Sequence, residues 1–236
     1  MATELFKNFP NVEYTLNSGK VISIKDFFRK SKIETAALDN IVSYTYYEIL
    51  DGERPDVVAT KLYGNGDLHW TLFLVNEFSN YNEWHMDNQT FETYMSEKYE
   101  GQWLVGSTTA DIVSSTSKWL LGEKLTATGK EAHVVKVDPT MRRIGVIGSA
   151  FVGTDVVTGS VSSKSMTVLN AIEQRDGISY YKDTNGVRKN FFVNGFSSVS
   201  FFDEEWEHNE TKRRIKVIRP EMINAVVNQF ERIMSS

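Results

Sequence analysis

The chain has 236 residues and a formal net charge of −5, with 41% hydrophobic and 24% charged residues. That balance suits one large or two small globular domains and gives no global reason to expect nucleic acid or an anionic membrane as partner. It contains no cysteine, so disulfides and thiolate metal sites are excluded, which fits folding in a reducing compartment.

The opening residues, MATELFKNFPNVEY, lack a basic start followed by an apolar run, so no signal peptide is expected. No apolar run approaches the roughly 20 residues a membrane helix needs. Residues 20–30, KVISIKDFFRK, begin extended because Val21, Ile22 and Ile24 are β-branched. They then run into a short helix near Asp26, with Phe27 and Phe28 as its apolar face. Residues 41–50, IVSYTYYEIL, are β-branched and aromatic and read as a strand.

Residues 54–78, RPDVVATKLYGNGDLHWTLFLVNEF, read as two short helices broken by a glycine turn. Pro55 suits the first helical position, and Asp56 follows where the helix dipole favours an acid. Val58 and Leu62 share a face. Gly64 can adopt the left-handed conformation that closes a helix, and Asp67 is a good N-cap for the second one. In that second helix Leu68, Leu72 and Val75 repeat at helical spacing, while Trp70, Phe73 and Leu74 fill the other side. A helix apolar on so much of its girth is buried on more than one side.

Residues 81–100 form a loop with Trp84 and a short helix with Phe91, Tyr94 and Met95 facing inward. From about Gly101 the texture changes to Val, Thr, Ser and Gly with little helical period, which marks an all-β insertion. LGEKLTATG and VGTDVVTGS form a weak internal repeat, with Gly122 and Gly153 spaced 31 residues apart. Each copy leads to an alternating segment: Val135 and Val137 in the first, Met166 and Val168 in the second. Two similar hairpins in a small barrel or sandwich satisfy this pattern, and chance similarity is the alternative.

Residues 178–193 read as a hairpin with a type I′ turn at Asn185-Gly186. Arg214–Arg219, RIKVIR, alternates as a strand. Pro220 then opens a final helix with Ile223, Val226, Val227, Phe230, Ile233 and Met234 on one face.

The residues that carry chemistry are sparse. His69, His85, His133 and His208 lack zinc-site spacing. His208 sits in the acidic run DEEWEH, where a solvated face is a plainer reading than a cation site. YGNGD is not followed by the Lys-Ser or Lys-Thr of a phosphate loop, no serine lies in G-x-S-x-G, and no carboxylate pair stands out for sugar cleavage. No catalytic, cofactor-binding or metal-binding residue is therefore assigned, and no cofactor is expected. One charge feature remains. Asp203, Glu204, Glu205, Glu207 and Glu210 are followed at once by Lys212, Arg213, Arg214, Lys216 and Arg219. Such a reversal can orient two different neighbours in an assembly, or it can be two exposed faces or a self-neutralising hairpin.

The pattern D-G-x-R-P-D-x-x-A-x-x-L-Y-G, from Asp51 to Gly64, resembles a LysM variant of phage tail proteins, and Leu68 to Phe78 resembles its second helix and terminal asparagine. Several further blocks follow in a matching order: FPNVEY, ISIKDFFRK, the YNEW loop, and NETKRRIKVIRPEMINAVVNQFERIM. Together they resemble the baseplate wedge protein of T-even-type contractile-tailed phages over roughly residues 5–101 and 178–236.

The resemblance implies an α+β fold with a discontinuous LysM-like core, in which the strand at Ser43–Leu50 pairs with Arg214–Arg219. Residues 1–40 are then an N-terminal arm with a short helix, 41–101 the first part of the core, and 102–177 the inserted all-β domain. Residues 178–236 supply the hairpin, the returning strand and the C-terminal helix. It also implies a non-enzymatic structural component of the virion tail baseplate, assembled in the host cytoplasm. Its partners would be other wedge proteins and the neighbouring wedges of a six-fold ring, with neither nucleic acid nor membrane. Arg54, Tyr46, Tyr47, Trp84, Arg213 and Arg214 are the candidate partner-binding residues. Pro55, Tyr63, Gly64, Asp67, Trp70 and Asn76 are the candidate turn and core residues. Two other readings stay open. One is a LysM-type module binding peptidoglycan or N-acetylglucosamine polymers between Asp51–Arg54 and Asn76–Asn80; the other is a tail-associated cell-wall hydrolase.

Overall fold

The computed structural model describes residues 10–26, 44–114 and 118–235. The expected helix at Phe27 and Phe28 lies outside the described residues, as do the side chains of Ile233 and Met234.

In chain order, strands β1 (Asn11–Thr15), β2 (Val21–Lys25) and β3 (Tyr44–Glu48) lead to helices α1 (Pro55–Tyr63) and α2 (His69–Val75). Helix α3 (Asn88–Lys98), strand β4 (Gln102–Val105) and the short helix α4 (Thr109–Ile112) follow. Next come β5 (Lys124–Ala127), β6 (Lys130–Asp138), β7 (Arg143–Gly148), β8 (Val156–Gly159), β9 (Ser165–Thr167) and β10 (Asn170–Glu173). Strands β11 (Ile178–Lys182), β12 (Arg188–Lys189) and β13 (Ser197–Ser200) precede helix α5 (Phe201–Thr211), strand β14 (Arg214–Ile218) and helix α6 (Ile223–Ser235). The fold is α+β and ends in a helix. The chain divides into two compact units, one formed by Met1–Asn88 with Asn209–Ser236, the other by Gln89–His208.

The first unit is closed by an antiparallel pairing of β3 with β14, running from Glu48 opposite Arg214 to Tyr44 opposite Ile218. Ile215 and Val217 point inward and pack with Ile49, Val58, Ala59, Leu72 and Trp84. On the other side of α2, Leu68, Trp70 and Val75 pack with Ile218, Ile223, Val227 and Phe230. The Trp70 and Phe230 rings lie 4.4 Å apart. Helix α2 is thus buried on two sides, as its apolar girth requires.

Pro55 begins α1, and Gly64 ends it at φ +71°, its N–H donating to Thr60 O. The cap of the next turn differs from expectation. The Asn65 side chain, not Asp67, accepts from a backbone N–H, that of Asp67 itself, and a 3₁₀ turn at Gly66–Leu68 leads into α2. Asn65 is extended and so holds its oxygen over the open N–H, whereas Asp67 already lies inside the turn. The Tyr63 hydroxyl donates to Ile218 O at 3.0 Å, tying α1 to the end of β14. Burial pushes its phenol up to about 12.

In the second unit one seven-stranded antiparallel sheet runs β10-β4-β7-β6-β5-β8-β9. Its two edge strands, β9 and β10, are separated in sequence only by Val168 and Leu169. One bent segment therefore serves both edges, and the sheet curls around a single core that includes Leu104, Leu125, Val134, Ile144, Phe151, Val157 and Met166. The repeat is visible as two equivalent turns, Leu120–Glu123 and Val152–Asp155. Each has positive φ at its third residue, +82° at Gly122 and +83° at Thr154. Each is closed by an acid that accepts the N–H of the first residue, Glu123 from Leu120 at 2.7 Å and Asp155 from Val152 at 2.9 Å. Equivalent positions such as Leu125 and Val157, both buried, match one residue further along than the glycines do.

Two local readings are corrected. In β6 it is Val134, not Val135, that points inward, and a bulge between Val134 and Lys136 returns Val137 to the core side. The hairpin after β11 is present, but its turn is not type I′. Positive φ is found at Gly186 and not at Asn185. The Asp183 carboxylate accepts the N–H groups of Asn185 and Val187 and so holds a longer loop.

The acids of α5 have separate partners. Within the second unit Glu205 takes Lys98 and the hydroxyls of Tyr94 and Tyr99, and Glu204 takes Arg188. Within the first, Glu210 takes Arg213 at 2.8 Å.

Gly64→Val should cost about 1–2 kcal/mol, because a β-branched residue resists the left-handed conformation. Nothing lies within 4 Å of an added Cβ there, so the loss measured by chemical denaturation reports backbone strain alone. Trp70→Ala should cost about 3–5 kcal/mol, the range for emptying a buried aromatic site. An unchanged denaturation midpoint in either variant contradicts this packing.

Candidate interaction surface

The block Asp51–Gly64 is organised by one buried carboxylate. Leu50–Glu53 is a tight turn with Gly52 at φ +75°, and the Leu50 N–H returns to Glu53 Oε2 at 2.8 Å. Glu53 also accepts from the Tyr47 hydroxyl at 2.9 Å and from Lys61 Nζ. Its backbone carbonyl takes the Trp84 indole N–H at 2.8 Å. Burial pushes the Glu53 carboxyl up, but the bonds from Lys61, Leu50 and Tyr47 together outweigh it and hold the group below its ordinary range.

This geometry sorts the candidate partner-binding residues. Trp84 is only 3% exposed and stacks on Phe73, so it is a core residue and not a rim anchor. Tyr47 is half-buried and committed to Glu53. Arg213 is half-buried, donating to Glu210 and to Ile49 O at 3.1 Å, and so fastens the start of β14 to the end of β3. Tyr46, Arg54 and Arg214 face solvent.

Tyr46 and Arg214 come together on the outer face of the β3–β14 ribbon. The Arg214 guanidinium lies 4.2 Å from the Tyr46 ring centroid, and Lys216 Nζ lies 5.2 Å from that of Tyr44. The two tyrosines meet edge to face at 5.9 Å. Tyr46 is 50% exposed. A stacked cation fixes each ring while leaving part of it open, and aromatic and arginine residues are those that dominate protein interfaces. The alternation of YTYYE against RIKVI carried the signal for Tyr44, Glu48 and Lys216 on this face, once the two segments are known to pair.

Arg54 lies elsewhere, on a groove of about 780 Å³ lined by Asp56, Trp70, Phe73, Phe78, Tyr81 and Phe230 among others. Arg54 is paired with Asp56 at its rim. The Trp70 indole N–H is buried without a hydrogen-bond partner among the described residues. Asn76, at the end of α2, accepts the Lys216 N–H at 2.8 Å and donates to Lys216 O at 2.8 Å and Leu72 O at 2.7 Å. Among the described residues no group of His, Asp and Glu could hold a metal ion, and no helix is long and apolar enough to cross a membrane.

Residues 4–117 match the family model described as Base plate wedge protein 53. The match covers just under half of the chain, and over these residues the sequence is similar to that baseplate wedge family. The family is one of structural proteins of the bacteriophage tail baseplate. The matched segment contains β3, α1 and α2 of the first unit, whereas β14 and α6, which complete that unit's core, lie beyond it. No curated protein matches the chain.

Glu53, Glu123, Glu205 and Glu210 all have carboxyls held below the ordinary value of 4.5. Each binds a proton less readily folded than unfolded. Its contribution to stability is therefore present above pH 4.5 and is lost as pH falls through the folded value. Glu53→Gln should lower stability at neutral pH and flatten the acid limb of a melting-temperature profile below pH 5. An unchanged acid limb argues against Glu53 as the centre of this turn.

Proposed function

We propose that the chain is a non-enzymatic component of a baseplate wedge that joins neighbouring wedge proteins, and wedge to wedge in a ring of six, as the baseplate assembles in the host cytoplasm. The family match over residues 4–117 and the physical construction of the first unit both support this. Helix α2 is packed on two sides, and a preorganised scaffold holds a contact surface in register at little entropic cost. The observation that carries the reading is the outward aromatic and cationic face, where Tyr46 and Arg214 stack 4.2 Å apart and remain open to solvent. The double variant Tyr46→Ala, Arg214→Ala should fold normally yet enter sedimenting baseplates roughly 30-fold less well, the loss expected for central interface anchors. Normal incorporation of that variant contradicts the assignment of this face.

A second reading is favoured by the groove. Its walls combine Arg54, Pro55 and Asp56 at one chain junction with Phe78, Ser79 and Tyr81 at the other. Aromatic walls with a few polar groups suit sugar rings, as a LysM-type module binding N-acetylglucosamine polymers requires. Titration with chitin oligomers distinguishes the two. The wedge-joining reading expects no saturable binding at micromolar ligand; saturation there, lost in Tyr81→Ala, favours the glycan module.

A further inference from the structure

The β3–β14 ribbon has two outer edges, and they are not alike. In an antiparallel pair, alternate residues turn both backbone groups toward the partner strand, and the residues between turn them away. The Asn76 side chain engages both the N–H and the C=O of Lys216, so Lys216 faces away from β3. Its register partner Tyr46 then faces away from β14, and Tyr44 and Glu48 do so with it. The edge of β14 is thus stopped by an asparagine at its midpoint. The edge of β3 has no such stop at its midpoint, and among the described residues only the Tyr44 carbonyl at its start is touched, by Arg219 at 3.5 Å. Among the described residues none takes the backbone N–H or C=O of Tyr46 or Glu48.

Natural proteins blunt an open edge with a proline, a bulge, an inward charge or a covering segment. Strand β3, YTYYE, has no proline, keeps its register without a bulge, and carries its one charge at the last residue, Glu48. Its aromatic and β-branched residues favour the extended conformation. Beside this edge the outer face is cationic. Arg214 and Lys216 lie over the rings of Tyr46 and Tyr44, and Arg219 reaches the Tyr44 carbonyl. Against these three cations stands Glu48. A strand added to β3 would run about 4.8 Å from it, and its outward side chains would sit beside the tyrosines, within reach of the cations across them.

We propose that the open edge of β3 takes an extended segment of a neighbouring baseplate protein by strand addition, and that this segment turns carboxylate side chains toward Tyr46 and Arg214. The inference rests on the wedge-joining function. Backbone pairing supplies affinity that is indifferent to sequence, and the aromatic and cationic face selects the partner.

A backbone test separates this mode of binding from a mere side-chain contact. Tyr46→Ala removes the ring and keeps the edge N–H. Tyr46→Pro removes both, and proline is tolerated where a strand's N–H faces away from its partner. Incorporation of the full-length chain into purified tails should fall about 10-fold further for Tyr46→Pro than for Tyr46→Ala, the weight of one backbone hydrogen bond at the upper end of its range. Equal incorporation of the two, with native melting temperatures, overturns strand addition and leaves the wedge-joining function standing. Should Tyr46→Pro fail to fold, cryo-electron microscopy of unmodified tails decides. A foreign strand along residues 44–48 with carboxylates near Arg214 or Lys216 supports the proposal. An edge open to solvent, or one paired with this chain's own residues 1–9 or 27–43, overturns it. Absence of the chain from purified tails defeats the wedge-joining function itself and the inference with it.

Discussion

The Ile49 N–H donates to the Arg213 carbonyl at 2.9 Å, and the Arg213 guanidinium returns to the Ile49 carbonyl across 164 positions of sequence. From that clasp the antiparallel pairing of Tyr44–Glu48 with Arg214–Ile218 runs on, and the first unit closes only through it. Without β14, Ile215 and Val217 are missing from one side of α2 and Ile218 from the other, and both apolar clusters are left open. The cost of closing so long a loop rises slowly, by about 0.6 kcal/mol per doubling of length. It is lowered further where the chain departs and returns. The Asn209 side chain accepts the Met86 N–H at 2.9 Å and donates to the Met86 carbonyl at 2.9 Å. Those two positions lie beside each other, so a separately packed unit of residues 89–208 can be carried between them without pulling the ribbon apart.

The same pairing decides which residues meet solvent. Ile215 and Val217 face inward, so Arg214 and Lys216 must face outward, and the register sets Tyr46 and Tyr44 beside them. A ribbon of two strands has one covered face and one open one. Here the open face has been furnished with rings held under cations, which stay ordered without being buried. Asn76 belongs to this logic too. By binding both backbone groups of Lys216 it ends the sheet on one side, where a third strand would otherwise lie against the end of α2.

Much of this was legible in the sequence because it is local. Pro55 and Gly64 mark the limits of α1 through fixed φ and positive φ, properties of single residues. The alternation of RIKVIR gives a strand with two faces, and the apolar girth of HWTLFLV gives a helix covered on two sides. The pairing of early and late strands came from the resemblance of separated blocks, since no local pattern names a strand's partner. The surface assignments failed where a distant group decided the outcome. Composition marks Trp84 and Arg213 as anchors, but the Glu53 carbonyl takes the Trp84 indole N–H, and Glu210 and the Ile49 carbonyl hold Arg213. Tyr46 and Tyr47 are indistinguishable in composition, and only the register places one outside and the other on Glu53. In the second unit Asn185-Gly186 carries the signal of a two-residue turn, but the Asp183 carboxylate, two residues earlier, captures the backbone first.

The absence of cysteine makes a direct test of the pairing simple. Glu48 and Arg214 lie opposite each other as a pair that exchanges no backbone hydrogen bond, the arrangement whose α-carbons fall within disulfide reach. The variant Glu48→Cys, Arg214→Cys should oxidise fully while folded and melt at a higher temperature than its reduced form. The register control Glu48→Cys, Lys216→Cys should remain largely unlinked under the same conditions. Failure of the first pair to link, or equal linking of the control, would contradict the closed ribbon on which the whole account depends.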